Sequence, residues 1–158
     1  MVLGSGSSGG SGGSGGGSNT EIWTGTFEKT WEETDPLFGC NYKQSGNIKL
    51  SLSRNDTSVS GENFITNFKT EYQKKPDADF CVPAVGQCVD TETNELLKGE
   101  IVGTVNGNGN YYFSKFELQG CLGNFSPVSG DVSGTTMTGT KTIIDGGPIT
   151  LKFNIHKQ

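Results

Sequence analysis

The stretch PITLKFNIHK, residues 148–157, decides the fold. Ile149, Leu151, Phe153 and Ile155 alternate with Thr150, Lys152, Asn154 and His156, which is the period of a strand with one face in a core and one in water. NIKLSLSR, residues 47–54, repeats the pattern with Ile48, Leu50 and Leu52 against Lys49, Ser51 and Ser53. IWTGTFEKTW, residues 22–31, puts Trp23, Gly25, Phe27, Lys29 and Trp31 on one face and a Thr-rich set on the other, as suits a sheet wetted on one side.

Working outward, further strand segments are TSVSGENF (57–64), GEIVGTV (99–105), YYFSKFELQG (111–120), SPVSGDVSG (126–134) and TMTGTKTII (136–144). RNDTS (54–58), NGNGN (106–110) and DGGP (145–148) carry the Asn, Asp and Gly of tight hairpins. Consecutive strands joined in this way become neighbours. The expected fold is all-β: an antiparallel meander of about eight strands forming a small barrel, with a β-sandwich as the alternative. EETDPLFGCNYKQSGN (32–47) reads as a loop from its Pro and Gly. NFITNFKTEYQKK (63–75) fits a strand or a helix face, and its Thr and aromatic content favours a strand. TETNELLKG (91–99) could form one short helix in a long loop, capped by Thr91 and stopped by Gly99.

Residues 1–18 hold nine Gly, six Ser and no charge, so they form a flexible linker outside the fold, and residues 19–158 form one domain. Met1 running directly into the linker suggests that a targeting segment has been removed. The 12 basic and 17 acidic residues give a net charge of −5 with no clustered basic face, which argues against nucleic acid as a partner. Four cysteines without a C-x-x-C pair point to disulfides, hence to an oxidising compartment. Three pairings are open. The short loop CVPAVGQC favours Cys81 with Cys88, leaving Cys40 with Cys121.

Catalytic chemistry finds little support. His156 is the single histidine, near the C-terminus on the solvent face of its strand, so a nucleophilic triad would have to use a poorly placed residue. Glu32, Glu33, Asp35, Asp77 and Asp79 are the carboxylates that a glycoside hydrolase at a barrel mouth would use. Asp77 and Asp79 are also the candidate calcium ligands, although their spacing matches no recognised calcium loop. Trp23, Phe27, Trp31, Tyr111 and Phe113 are the candidate ligand-binding residues. Strict alternation puts Tyr111 and Phe113 opposite Tyr112, Ser114, Phe116 and Leu118, and a β-sandwich would bind polysaccharide through Tyr111 and Phe113.

The early IWTGTF, the recurring VSG at residues 59–61 and 128–130, and the Gly/Ser linker together resemble small bacterial envelope lipoproteins, and the meander resembles the calycin superfamily of lipocalin-like and avidin-like barrels. That resemblance implies a secreted or cell-envelope protein, outer-membrane or periplasmic. The reading for the whole chain is a non-catalytic module that binds a small ligand or an envelope partner, acts as a monomer, needs no cofactor, and touches a membrane only through an N-terminal lipid anchor that this chain does not carry. Residues matching the biotin contacts of avidin-like proteins are not found, and the long segment at 74–99 has no place in their short hairpins.

Overall fold

A computed structural model describes residues 19–32, 39–82, 97–118 and 122–158. It contains β1 (Asn19–Glu32), β2 (Cys40–Asn55), β3 (Ser58–Lys74), β4 (Leu97–Val105), β5 (Tyr111–Leu118), β6 (Gly123–Asn124), β7 (Val128–Ser133), β8 (Thr136–Ile144) and β9 (Pro148–Lys157). Apart from β6, neighbours in sequence pair antiparallel, β5 pairs with β7 past β6, and β1 pairs with β9 as well as β2, so eight strands close into one barrel. β6 is a two-residue addition on the end of β5. Closure leaves a single continuous sheet, which rules out the sandwich.

The alternation read from PITLKFNIHK holds. Leu151, Phe153 and Ile155 face inward and are at most 4% exposed, while Lys152, Asn154 and His156 face out. Across the β1–β9 seam, Phe27 meets Phe153 and Gly25 meets Ile155. The interior is filled by side chains from every wall, among them Trp23, Leu50, Ile101, Phe113, Phe116 and Met137.

Three sequence expectations need correction. The segment 32–47 is not one loop, because β2 begins at Cys40 and Asn41–Gly46 pair with β1. Leu97–Gly99 open β4 rather than end a helix, and residues 91–96 lie outside the described residues. Strict alternation along β5 also fails: a bulge at Ser114 shifts the register, so Phe116 and Leu118 point inward with Tyr111 and Phe113, leaving Tyr112 outside and 50% exposed.

A second irregularity bends the β2–β3 pair. Ser45 faces Lys69 and Asn47 faces Thr66, so Gly46 stands against Asn67 and Phe68, with Asn67 in the left-handed region at φ 52°. A Cβ at Gly46 would lie 2.9 Å from the Thr66 carbonyl oxygen and 3.1 Å from the Phe27 ring, so only glycine lets the strands cross here. Beyond this point the inward set on β3 changes from Asn63 and Ile65 to Phe68, Thr70 and Tyr72.

The disulfide differs from the favoured pairing: Cys40 is bonded to Cys81, not Cys81 to Cys88 or Cys40 to Cys121. Register is the reason. Cys40 opposes Lys74 at the end of β3, the Lys75 amide donates to the Gly39 carbonyl at 2.9 Å, and the Ala78 amide closes a turn on Lys75. That turn returns the chain to β2, bringing Cys81 within 4.9 Å of Cys40 between Cα atoms before Cys88 is reached. Gly39, at φ 59°, admits the returning backbone: a Cβ there would stand 2.4 Å from the Phe80 carbonyl oxygen. Cys88 and Cys121 lie outside the described residues.

Candidate functional site

The two ends of the barrel are built differently. At one end the Glu21 carboxylate, 8% exposed, accepts a hydrogen bond from the Tyr111 hydroxyl, faces Lys157 Nζ at 3.1 Å, and has Arg54 at 3.8 Å. Trp23 packs edge-on against Tyr111 with ring centroids 5.8 Å apart. Burial alone would raise the Glu21 pKa, but the hydrogen bonds from Tyr111 and Lys157 and the Lys157 charge outweigh it and hold it below its ordinary value. Burial, then the bond to Glu21, pushes the Tyr111 pKa upward. This end is stoppered by a polar network that pairs the buried carboxylate, with Trp23 Nε1 left buried and without a partner among the described residues.

At the other end the walls are uneven. β1, β2, β3, β8 and β9 run past the point where β5 stops and the chain folds inward, burying Leu122 and Phe125 completely. On the inner face of the taller wall, Ile149 of β9, Trp31 of β1, Tyr42 of β2 and Tyr72 of β3 are successive cross-strand partners. Trp31 and Tyr42 stack with centroids 5.1 Å apart and planes 10° from parallel, and Tyr72 is 58% exposed. A groove of about 690 Å3 runs over this rim, lined by those three aromatics and by outer-face residues including Thr30, Lys43 and Thr150.

Below Trp31 the inner face turns polar. Lys29 and Gln44 are direct cross-strand partners, and both are more than nine-tenths buried. Lys29 Nζ donates to the Leu122 carbonyl at 2.9 Å and lies 5.0 Å from the centroid of the Trp31 ring and 5.8 Å from that of Phe125. Among the described residues it has no carboxylate within ion-pair distance, and burial lowers its pKa from 10.5. Gln44 Nε2 reaches Thr70 Oγ1 at 3.5 Å, while Gln44 Oε1 is buried without a partner.

Lys29→Met is therefore expected to stabilise the fold by about 1–2 kcal/mol at pH 7, since it removes a buried charge at the cost of one hydrogen bond to a carbonyl. The sign follows from linkage. A lysine whose folded pKa is depressed opposes folding in full below that pKa, and the opposition fades as pH rises toward 10.5, so the difference between variant and parent should narrow from pH 7 to pH 9.5 in denaturant titrations. A variant less stable than the parent at pH 7 would show that the ammonium is already compensated.

The sequence candidates do not gather in one place. Trp23 and Tyr111 belong to the stoppered end, and Phe27 and Phe113 are part of the packed interior, each at most 4% exposed. Trp31 alone among them reaches the groove. Tyr111 and Phe113 cannot form the exposed pair that polysaccharide binding on a sandwich would need. Glu32 is exposed at the rim, with Lys75 Nζ 3.9 Å away, while Asp77 and Asp79 are exposed in the turn after β3, and Glu33 and Asp35 lie outside the described residues. No group of three or more His, Cys, Asp or Glu gathers to hold a metal among the described residues. His156 is on the outer face, its Nδ1 3.0 Å from Thr136 Oγ1.

Sequence reasoning passed over Lys29, Gln44, Tyr42 and Tyr72. For Lys29 the signal was present, because period two already put it on the face of Trp23, Phe27 and Trp31. Comparison with family models, with curated proteins and with solved structures finds no match to the chain.

Proposed function

We propose that this barrel is a non-catalytic extracytoplasmic binding module, displayed at the cell envelope by its Gly/Ser linker, that takes a small flat ligand in the groove at the Trp31 end. The observation that carries this reading is the stacked Trp31–Tyr42 pair with Tyr72 beside it, 58% exposed, at the end of the barrel opposite the Glu21 stopper. A pre-stacked aromatic pair costs little ordering entropy on binding and offers a planar apolar surface. The Cys40–Cys81 bond supports an oxidising compartment.

The test is a titration of the 15N-labelled, disulfide-intact full chain with neutral aromatic fragments, indole and 2-naphthol. Saturable shifts are expected at the Trp31 indole and at the Tyr42 and Tyr72 amides, with Trp31→Ala weakening binding roughly tenfold or more. Shifts confined to other faces, or none at Trp31, would overturn the assignment.

A further inference from the structure

We infer that Lys29 and Gln44 form an anion receptor beneath the groove, so that the ligand is a flat apolar acid whose carboxylate is held inside the barrel. The inference rests on the binding reading above and names the ligand's chemical class. Its foundation is a pair of incompletely bonded polar groups placed side by side where the chain could have used leucine.

The Lys29 ammonium has three donors and, among the described residues, one acceptor, the Leu122 carbonyl at 2.9 Å. The Trp31 and Phe125 rings, at 5.0 and 5.8 Å, offset part of its charge but are not hydrogen-bond acceptors of the strength that a buried ammonium requires. Across the strand pair, the Gln44 side chain, 1% exposed, leaves Oε1 without a partner. A half-turn of that amide exchanges Oε1 for Nε2 and presents N–H donors at the same spot. Cross-strand positions bring the two Cβ atoms within about 5 Å, so one carboxylate can accept from both side chains.

Among the described residues nothing acidic competes for the ammonium. The inner-face positions around it are Phe27 and Trp31 on β1, Gln44 with its flanking Tyr42 on β2, Thr70 on β3, Leu151 on β9 and Lys141 on β8, none of them a carboxylate. Lys141, half-buried and two strands away from Lys29, shares the inward phase of Leu151 and is itself a cation, not a counterion. The aromatic wall above then receives the apolar body of the ligand, as the groove reading requires.

The test compares 2-naphthoate with 2-naphthamide, two probes of the same ring and nearly the same shape that differ in charge. In the disulfide-intact full chain, 2-naphthoate is expected to bind at least about tenfold more tightly and to move the Lys29 side-chain resonances, which 2-naphthamide leaves in place. Lys29→Met should bring the two probes to equal affinity, whereas Lys29→Arg should retain the preference in part. Equal affinity in the parent chain would overturn the anion receptor, and a preference that survives Lys29→Met would move it to another cation. If neither naphthyl probe binds while indole does, the receptor falls and the groove stands; if indole fails as well, both readings fall.

Discussion

Phe116→Ala is expected to destabilise the barrel by about 3–5 kcal/mol. Phe116 has no exposed surface, stacks on Phe153 with centroids 5.5 Å apart and planes 10° from parallel, and tilts against Phe113 at 5.5 Å. Its removal opens a cavity between β5 and β9 that neither strand can close, because β9 is held in register by β1 on one side and β8 on the other. Tyr112→Ala, on the outer face at 50% exposure, should change stability by no more than about 0.5 kcal/mol. Urea titration of both variants decides between two registers. Without the Ser114 bulge, Tyr112 and Phe116 would share a face and their losses would be similar; with it, they differ by several-fold.

That contrast marks where sequence ceased to be informative. Period-two alternation identifies β9 and β2, as well as the inward face of β1 from Trp23 to Trp31, because each side chain there is sorted by one variable, burial. Bulges leave no such trace. Inserting a residue at Ser114 or Asn67 exchanges the faces of everything beyond it, and the residues at the insertion, Ser and Asn, are ones that any surface turn uses. Phe116, Phe68 and Tyr72 were therefore placed by the bends, not by the alternation. Hairpin signals were reliable for the opposite reason: NGNGN and DGGP need positive φ, and Gly109 and Gly146 supply it.

The rim was legible in part. Lys29 had an inward phase from the start, but an isolated lysine is by default a solvated one, and only the closed barrel shows that its ammonium lies under the Leu122–Phe125 segment. Tyr42 was hidden by the Pro and Gly of its segment, which made it read as loop. Pairing with β1 over Asn41–Gly46 overrides that local composition, since backbone hydrogen bonds and the Trp31 stack are made together. The two ends of the barrel show the same tension. The stoppered end pairs its buried charge with Tyr111, Lys157 and Arg54, whereas the Lys29 ammonium meets a carbonyl and no carboxylate among the described residues, which opposes stability.

Removing the Cys40–Cys81 bond carries the second large effect. The bridge spans 41 residues of sequence, for which loop entropy alone gives about 4 kcal/mol of stabilisation through the unfolded state. The Cys40→Ala/Cys81→Ala double variant is the cleaner test than a reductant, because it leaves Cys88 and Cys121 untouched. Its thermal midpoint should fall on the order of 10 °C. Loosening should begin at the rim: Cys40 starts β2, two residues before Tyr42, and the bond ties that start to the chain leaving β3. Amide exchange should therefore accelerate at Tyr42 and Tyr72 more than at Leu50, whose strand is held on both sides deep in the barrel. Neutral-fragment binding should weaken with it, because the Trp31–Tyr42 stack then has to be ordered at the expense of binding energy. An unchanged midpoint, or non-reducing peptide maps that join Cys81 to Cys88, would instead return the pairing to the short loop and leave the rim without its tie.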